Sequence, residues 1–248
     1  MRICYAFYNY IIINLRDIEM ANKHILMVLT SHSELGNTGT KTGFWVEEFA
    51  APYYTFIDQN IRVSIATPKG GQAPIDPNSE LADFQTADTQ RFNQDDTAQA
   101  LIANTLVLAE QSSDDFDAIF YPGGHGPLWD LTDNIDSIQL IEAFLKTAKP
   151  VAAVCHASAA LLNVKNSEGE FVLSNKAVTG FSNSEEEAVQ LTNVVPFLLE
   201  DELAKRGANY QKAPDWNAFA IKDGLIITGQ NPASSSITAK HLVDHINA

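Results

Sequence analysis

A cysteine followed by a histidine ends a short apolar segment in the middle of the chain. Residues 150–154 read Pro-Val-Ala-Ala-Val, which predicts a buried strand, and small helix-forming residues follow Cys155 and His156. On such a strand-to-helix turn the thiol lies at a helix N-terminus, where N–H groups and the helix dipole favour the thiolate. We therefore expect Cys155 to be a nucleophile whose pKa lies below the free-thiol value of about 8.5. The alternative is a buried structural cysteine.

A glycine pair and a second histidine follow another predicted strand, at residues 116–121. In open α/β sheets, functional side chains collect at the carboxyl ends of the strands, so this segment should lie beside the thiol. Gly124 lets the backbone come close to a substrate, and N–H groups near Gly124 and His156 could hold a developing oxyanion. We assign His125 to the same substrate-binding edge. An ordinary tight turn with a loop histidine is the alternative.

Five glutamates near predicted helix starts compete for the role of an acid partner: Glu47, Glu48, Glu185, Glu186 and Glu187. Acidic residues at helix N-termini are favoured by the helix dipole and are commonly exposed. A glutamate turned inward beside the thiol would instead be desolvated, with a raised pKa, and could carry a proton. The residues alone do not choose within either group.

Strand and helix patterns alternate from residue 23 onward, which predicts a mostly parallel sheet with helices on both faces, in one domain at 23–248. Pro52 should kink or interrupt the first helix. Residues 72–87 form a long excursion of the kind that is uncommon unless it has a function. We predict strands at 25–29, 62–66, 116–121, 150–154, 177–181 and a hairpin at 219–221 and 225–227, and helices at 44–59, 97–110, 135–148, 184–206 and from 235.

The composition of the chain excludes several classes of function. A formal net charge of −15 over 248 residues makes nucleic acid a poor partner, because phosphate binding needs clustered Lys and Arg. No apolar stretch reaches the roughly 18 residues that predict a membrane span. The two cysteines, Cys4 and Cys155, form no disulfide framework, so we predict a reducing compartment and a cytoplasmic protein. No Cys/His cluster has the sequence spacing of a zinc site.

Residues 1–22 differ from the rest of the chain, because an apolar stretch up to Leu15 is followed by charged residues at 16–19. We expect a poorly ordered upstream extension, with the working protein starting at Met20. A cleaved export signal is the alternative, although the stretch has a single basic residue ahead of its apolar part and no well-placed cleavage site.

Four ordered motifs resemble the PfpI-type superfamily, also called class I glutamine amidotransferase-like. The resemblance is strongest to the branch of heat-shock chaperones and glutathione-independent glyoxalases (glyoxalase III), and it extends from about residue 23 to the C-terminus. The motifs are Lys-Thr-Gly-Phe-Trp-Val-Glu-Glu at 41–48, Phe-Tyr-Pro-Gly-Gly-His-Gly at 120–126, Ala-Ala-Val-Cys-His at 152–156 and Thr-Gly-Gln-Asn-Pro-Ala-Ser at 228–234.

The resemblance implies a flavodoxin-like three-layer sandwich with a nucleophile elbow. It implies that Cys155 is the nucleophile, with His156 beside it and Glu48 as the carboxylic acid that faces the sulfur. Glu186 matches the position of the acidic partner of the histidine. Family members commonly have Gly-Pro after the Cys-His pair, where this chain has Ala-Ser. We expect Ala157 to place a methyl group near the pocket.

The implied activity is that of a glyoxalase III-type lyase, of the D-lactate dehydratase class. It would convert methylglyoxal and related 2-oxoaldehydes to 2-hydroxy acids through a Cys155 hemithioacetal, without glutathione, metal or other cofactor. A homodimer and a protein-protective role in stress are further expectations. The alternatives are a cysteine amidase or peptidase, and a holdase chaperone that does not need Cys155. A glutaminase subunit fits poorly, because residues 241–245 lack a His-x-Glu pair.

Overall fold

A seven-stranded sheet runs through residues 23–248, which are the residues that this computed structural model describes. Its order is β3-β2-β1-β4-β5-β9-β8, in which β8 alone is antiparallel to its neighbour. The expected extension, residues 1–22 with Cys4, lies outside the described residues. The strands, including a separate β6–β7 pair, are β1 His24–Val28, β2 Arg62–Thr67, β3 Leu106–Val107, β4 Ala118–Tyr121, β5 Val151–Val154, β6 Ala177–Val178, β7 Asn209–Tyr210, β8 Ala220–Asp223 and β9 Ile226–Gly229.

Helices cover the sheet to make a three-layer sandwich, as expected from the sequence. The first and last helices pack against each other and against the sheet, and the helix that precedes β5 packs on β4 and β5. No helix within residues 23–248 combines the length and the apolar character that a bilayer crossing requires. The helices are α1 Val46–Ile57, α2 Ala87–Phe92, α3 Asp96–Ala103, α4 Pro127–Asp130, α5 Ile135–Lys146, α6 Asn183–Ala188, α7 Leu199–Lys205 and α8 Ser235–Ile246.

The central strands are buried along their whole length because they have neighbours on both edges and helices above and below. Every residue of β4, β5 and β9 is buried, and these strands consist largely of Ala, Val, Ile and aromatic residues. β1 lies between β2 and β4, so the strand order changes direction there. Such a reversal opens a crevice at the carboxyl ends of the strands, where the loops after β1, β4 and β5 meet.

Three predicted elements differ from the structure. Residues 177–181 do not join the central sheet, because β6 pairs with β7 in a separate two-stranded sheet. The helix predicted at 97–110 ends at Ala103, and the chain then forms the edge strand β3. The helix predicted at 184–206 is divided into α6 and α7, and Pro196, which cannot donate a helical hydrogen bond, lies in the break.

Pro52 does not interrupt the first helix, contrary to the expectation. α1 continues to Ile57 with Pro52 inside it. A proline there lacks the N–H that would bond the carbonyl of Glu48, four residues earlier. The burial of Phe49, Phe56 and their neighbours against the sheet holds the helix together despite that loss.

Candidate functional site

Cys155 lies on a sharp turn between β5 and a 3-10 helix that covers Cys155–Leu161. Its backbone φ is +58°, a left-handed conformation that residues with a Cβ seldom adopt. Strain of this kind costs about 1–3 kcal/mol and persists where the surrounding structure enforces it. The predicted elbow is therefore present, and it carries a thiol that is only 3% exposed.

His156 connects the thiol to a carboxylate. Its Nδ1 lies 3.4 Å from the Cys155 sulfur, and its Nε2 lies 2.6 Å from a carboxyl oxygen of Glu186. Burial is the largest influence on His156 and lowers its pKa, so the ring is neutral near pH 7. With Nε2–H donating to Glu186, Nδ1 has a free electron pair directed toward the sulfur. His156 can therefore accept the thiol proton.

Glu186 accepts hydrogen bonds from two histidines at once. His125 Nε2 lies 3.0 Å from one of its oxygens, while His156 bonds the other. Burial acts to raise the pKa of Glu186, but the two histidines outweigh it and hold that pKa well below its usual range. The rings of His125 and His156 lie 4.1 Å apart. His125 thus binds an acidic side chain as well as facing the substrate edge, which the sequence did not indicate.

The neighbours of Glu186 have other environments, although all three glutamates belong to one short segment. Glu185 is buried and accepts hydrogen bonds from Asn231 Nδ2 at 2.8 Å and the Trp216 N–H at 2.9 Å, so it holds two loops together. Glu187 is exposed. The helical turn of α6 therefore points these three side chains in different directions. Glu185 stabilises the loops, Glu186 binds the histidines and Glu187 faces solvent.

Glu48 is fully buried at the start of α1 and close to the thiol. Within residues 23–248 neither of its carboxyl oxygens has a hydrogen-bond partner of normal geometry. A Cβ on Gly123 would lie 2.3 Å from one of these oxygens and 2.9 Å from the Cβ of Cys155, so a side chain at 123 would fill this space. Burial raises the pKa of Glu48 to about 8. The carboxyl is therefore mostly protonated at neutral pH.

The expectation of a low thiol pKa is wrong for this arrangement. Burial, as the largest cause, and the adjacent Glu48 raise the pKa of Cys155 well above its usual range, whereas the His156 backbone N–H acts in the opposite sense. The helix N-terminus favours the thiolate, but the near-complete burial of Cys155 outweighs it. A reaction at this thiol would therefore need a neighbouring base, such as His156, to accept its proton.

Gly124 allows the loop after β4 to pass directly against the start of α1. Its φ is +97°, and a Cβ there would lie 2.4 Å from the Gly43 carbonyl oxygen and 2.6 Å from the Trp45 nitrogen. Within residues 23–248 the Gly124 N–H has no hydrogen-bond partner. It lies on the same cavity as Cys155 and His156, where it can donate to a substrate oxygen.

Gly124→Ala is expected to reduce the free energy of unfolding by about 2–4 kcal/mol, because the added methyl group adds a backbone clash to the strain of a positive φ. Urea unfolding measures this change. Gly39→Ala is the matched control, since Gly39 has φ +78° with nothing within 4 Å of the added Cβ. That variant should lose only about 1 kcal/mol. Equal losses in the two variants would mean that the close approach at Gly124 contributes nothing.

A cavity of about 410 Å³ opens above these residues. Five of the six predicted site residues line it, and the sixth, Glu186, lies behind the two histidines: the five are Glu48, Gly124, His125, Cys155 and His156. Ala157 does not line it, contrary to the expectation, because its side chain faces the hydrophobic core. The sequence did not indicate the rest of the lining, which is mainly apolar: Trp45, Phe84, Phe181, Val189, Trp216, Asn231, Pro232 and Ala233. Phe84 comes from the long excursion, whose length was the available signal.

The two histidines and Glu186 could also hold a metal ion. One ligand atom from each lies within 4.8 Å of the others. In the present arrangement Glu186 accepts an N–H from each ring, so a metal would have to replace both protons. The absence of a metal requirement stays a prediction.

Glu48→Gln is expected to change how stability depends on pH. The folded protein holds the Glu48 proton up to a pH of about 8, whereas the unfolded chain releases it near 4.5. Folding therefore becomes less favourable as the pH rises through this window, and the glutamine variant lacks this loss. Between about pH 5 and pH 8, the free energy of unfolding of the variant should therefore rise by a few kcal/mol relative to that of the wild type. Urea unfolding at three pH values measures the difference, and parallel curves would mean that Glu48 is ionised in the fold.

Comparisons with known proteins identify the family of this chain. The model of the DJ-1/PfpI family matches residues 40–245. A glutathione-independent glyoxalase of Saccharomyces cerevisiae is 30% identical over 235 residues, 91% of this chain and 98% of the relative. Rapid Encystment Protein 24 KDa of Francisella tularensis has a TM-score of 0.87 at 40% identity, over 90% of this chain and 99% of that one.

Glyoxalase III of Candida albicans has a TM-score of 0.82 at 26% identity, over 90% of this chain and 96% of that one. The mostly parallel sheet is therefore that of the flavodoxin-like α/β fold. The family model covers the segments that carry the elbow, the two histidines of the site, Glu48 and Glu186. On the match over residues 40–245 and the full-length relatives, the chain belongs to the DJ-1/PfpI family.

Proposed function

We propose that the protein is a glutathione-independent glyoxalase that converts methylglyoxal and related 2-oxoaldehydes to 2-hydroxy acids. The observation that carries this proposal is the pairing of Cys155 and Glu48 on one cavity. The thiol has a strained backbone, and the buried carboxyl keeps its proton to a pH of about 8. The Saccharomyces cerevisiae and Candida albicans relatives are named as glyoxalases, which supports an enzyme of that type.

The first step is addition of the Cys155 thiol to the aldehyde. The sulfur forms a bond to the aldehyde carbon while Nδ1 of His156, 3.4 Å away, accepts the thiol proton. The carbonyl oxygen takes up that proton to give a hemithioacetal. The N–H groups of Gly124 and His156 stabilise the negative charge that develops on this oxygen.

Proton transfer between adjacent carbons follows. The hydrogen on the former aldehyde carbon leaves as a proton, and the neighbouring carbonyl carbon gains one, through an enediol. A carboxyl group with a pKa of about 8 is present in both protonation states near neutral pH, so Glu48 can both accept and donate this proton. One carbon is oxidised as the other is reduced, and no external oxidant is needed. Water then hydrolyses the thioester, which releases a 2-hydroxy acid and the thiol.

The test is incubation of the purified protein with methylglyoxal alone. Lactate formation and its stereochemistry are measured, before and after treatment with a chelator. We expect one enantiomer of lactate, and equal turnover after chelation. Dependence on added glutathione, or no lactate at all, would remove the proposed function and leave the fold unaffected.

An amidase or peptidase activity is a second candidate, because Cys155, His156 and Glu186 form a continuous hydrogen-bonded series. The 2.6 Å contact between His156 and Glu186 orients the ring as acyl-transfer enzymes require. Hydrolysis of amide and ester chromogenic substrates tests this candidate. A holdase role and a homodimer are further proposals from the family resemblance. The holdase role is tested by whether Cys155→Ala still suppresses the aggregation of a client protein. The homodimer is tested by the mass of the protein in solution.

A further inference from the structure

The cavity above Cys155 is larger than methylglyoxal requires. Its volume of about 410 Å³ lies in the range of roughly 300–1,000 Å³ that is typical of pockets for drug-sized ligands. Methylglyoxal carries only a methyl group beyond its two carbonyls. The reacting groups account for a small part of the lining, so a natural substrate has room for a larger group on its second carbonyl.

Two aromatic pairs make up much of the remaining wall. Trp45 and Phe84 meet edge to face, with ring centroids 4.9 Å apart. Phe181 and Trp216 form a second such pair at 5.9 Å, and the Phe181 ring lies 4.3 Å from that of His156. Aromatic walls of this kind bind planar apolar groups well, through both burial and ring geometry.

The aromatic wall includes side chains that water now reaches. Phe84 is 45% exposed, Val189 40% and Trp216 48%. A ligand that covers them buries apolar surface and gains affinity in proportion to the area. Trp216 also has a left-handed backbone, with φ +64°, and its N–H donates to the buried Glu185. A bulky residue held in a strained conformation at a cavity is typical of a functional position.

The charges around the cavity restrict which substituent the second carbonyl of a substrate can carry. Of the described residues, no lysine or arginine lines it, and its ionisable members are Cys155, Glu48 and the two histidines. His156 is neutral near pH 7 because burial lowers its pKa. A carboxylate or phosphate on the substrate would therefore be desolvated without a countercharge, which is costly.

We propose that the site prefers 2-oxoaldehydes whose second carbonyl carries an uncharged aryl group, or a similarly bulky apolar group, over methylglyoxal. The expected preference in turnover rests on the proposed function. The binding part rests only on the cavity.

The turnover experiment compares phenylglyoxal, methylglyoxal and 4-carboxyphenylglyoxal. We expect kcat/KM to be roughly 10–100-fold higher for phenylglyoxal than for methylglyoxal, and at least about 10-fold lower for the carboxylated compound than for phenylglyoxal. In the Phe84→Ala/Trp216→Ala double variant the phenylglyoxal-to-methylglyoxal ratio should fall at least about 10-fold. Leu81→Ala is the control, since Leu81 is 54% exposed on the same excursion as Phe84 and does not line the cavity.

A binding experiment separates this inference from the proposed function. Binding of acetophenone and of acetone to Cys155→Ala is measured by isothermal titration calorimetry; the two compounds share a ketone and differ in the aryl group. Tighter binding of acetophenone, lost in the triple variant that adds Phe84→Ala and Trp216→Ala, supports the inference even if no oxoaldehyde is turned over. Turnover of methylglyoxal at least as efficient as that of phenylglyoxal, or equal binding of the two ketones, would overturn it and leave the proposed function standing.

Discussion

Cys155→Ala is expected to abolish turnover of 2-oxoaldehydes, with kcat reduced by about 10⁴-fold or more. In the proposed mechanism the covalent step has no substitute, because Cys155 supplies the thiol at the cavity and the aldehyde bonds to sulfur before its hydrogen moves. Alanine keeps the Cβ, so the elbow, its φ of +58° and the bond between His156 and Glu186 should persist.

Lactate formation from methylglyoxal measures this effect, and thermal unfolding shows that the fold is intact. Cys155→Ser is the matched variant, since it keeps the size of the side chain and replaces sulfur with a weaker nucleophile; it should be nearly as inactive. A Cys155→Ala protein that retained a tenth of the wild-type rate would show that another group attacks the aldehyde. The same protein tests the holdase alternative, which does not need the thiol.

Glu48→Gln is expected to lower kcat by about 10²–10⁴-fold while the thiol stays in place. Glutamine fills the same space but cannot exchange a proton between the two substrate carbons. The thiol itself should become easier to ionise, because the nearby carboxyl raises its pKa in the wild type. Alkylation of Cys155 by iodoacetamide should therefore extend to lower pH in the variant even as turnover falls.

Glu47→Gln is the control for this variant. Glu47 lies one residue earlier on α1 and points away from the cavity, where it accepts a hydrogen bond of 2.5 Å from Thr86. Glutamine can accept the same bond, so turnover should stay within about 3-fold of the wild type. Equal losses in the two variants, or full activity in Glu48→Gln, would mean that another carboxyl group moves the proton.

Alternating strand and helix patterns, together with the apolar segment before Cys155, were enough to predict the sheet, the elbow and the position of the loop after β4. These features depend on local patterns, because a buried parallel strand is apolar along its length and a strand-to-helix turn places its first side chain above the sheet. The family motifs added the choice of Glu48 and Glu186 within their groups. The sheet to which a short apolar segment such as 177–181 belongs was harder to predict. Whether such a strand joins the central sheet or a separate pair depends on residues that are distant in the sequence.

The chain's own sequence thus determined which residue types stand at the strand ends: a thiol, two histidines, a glycine pair and two groups of glutamates. Only the tertiary structure decided that His125 shares Glu186 with His156 and that the thiol pKa rises. Burial and neighbouring charges set a pKa, and both come from segments far apart in the chain. The aromatic wall is a tertiary property for the same reason, since Trp45, Phe84, Phe181 and Trp216 belong to four separate segments that meet only when the sheet and its loops have formed.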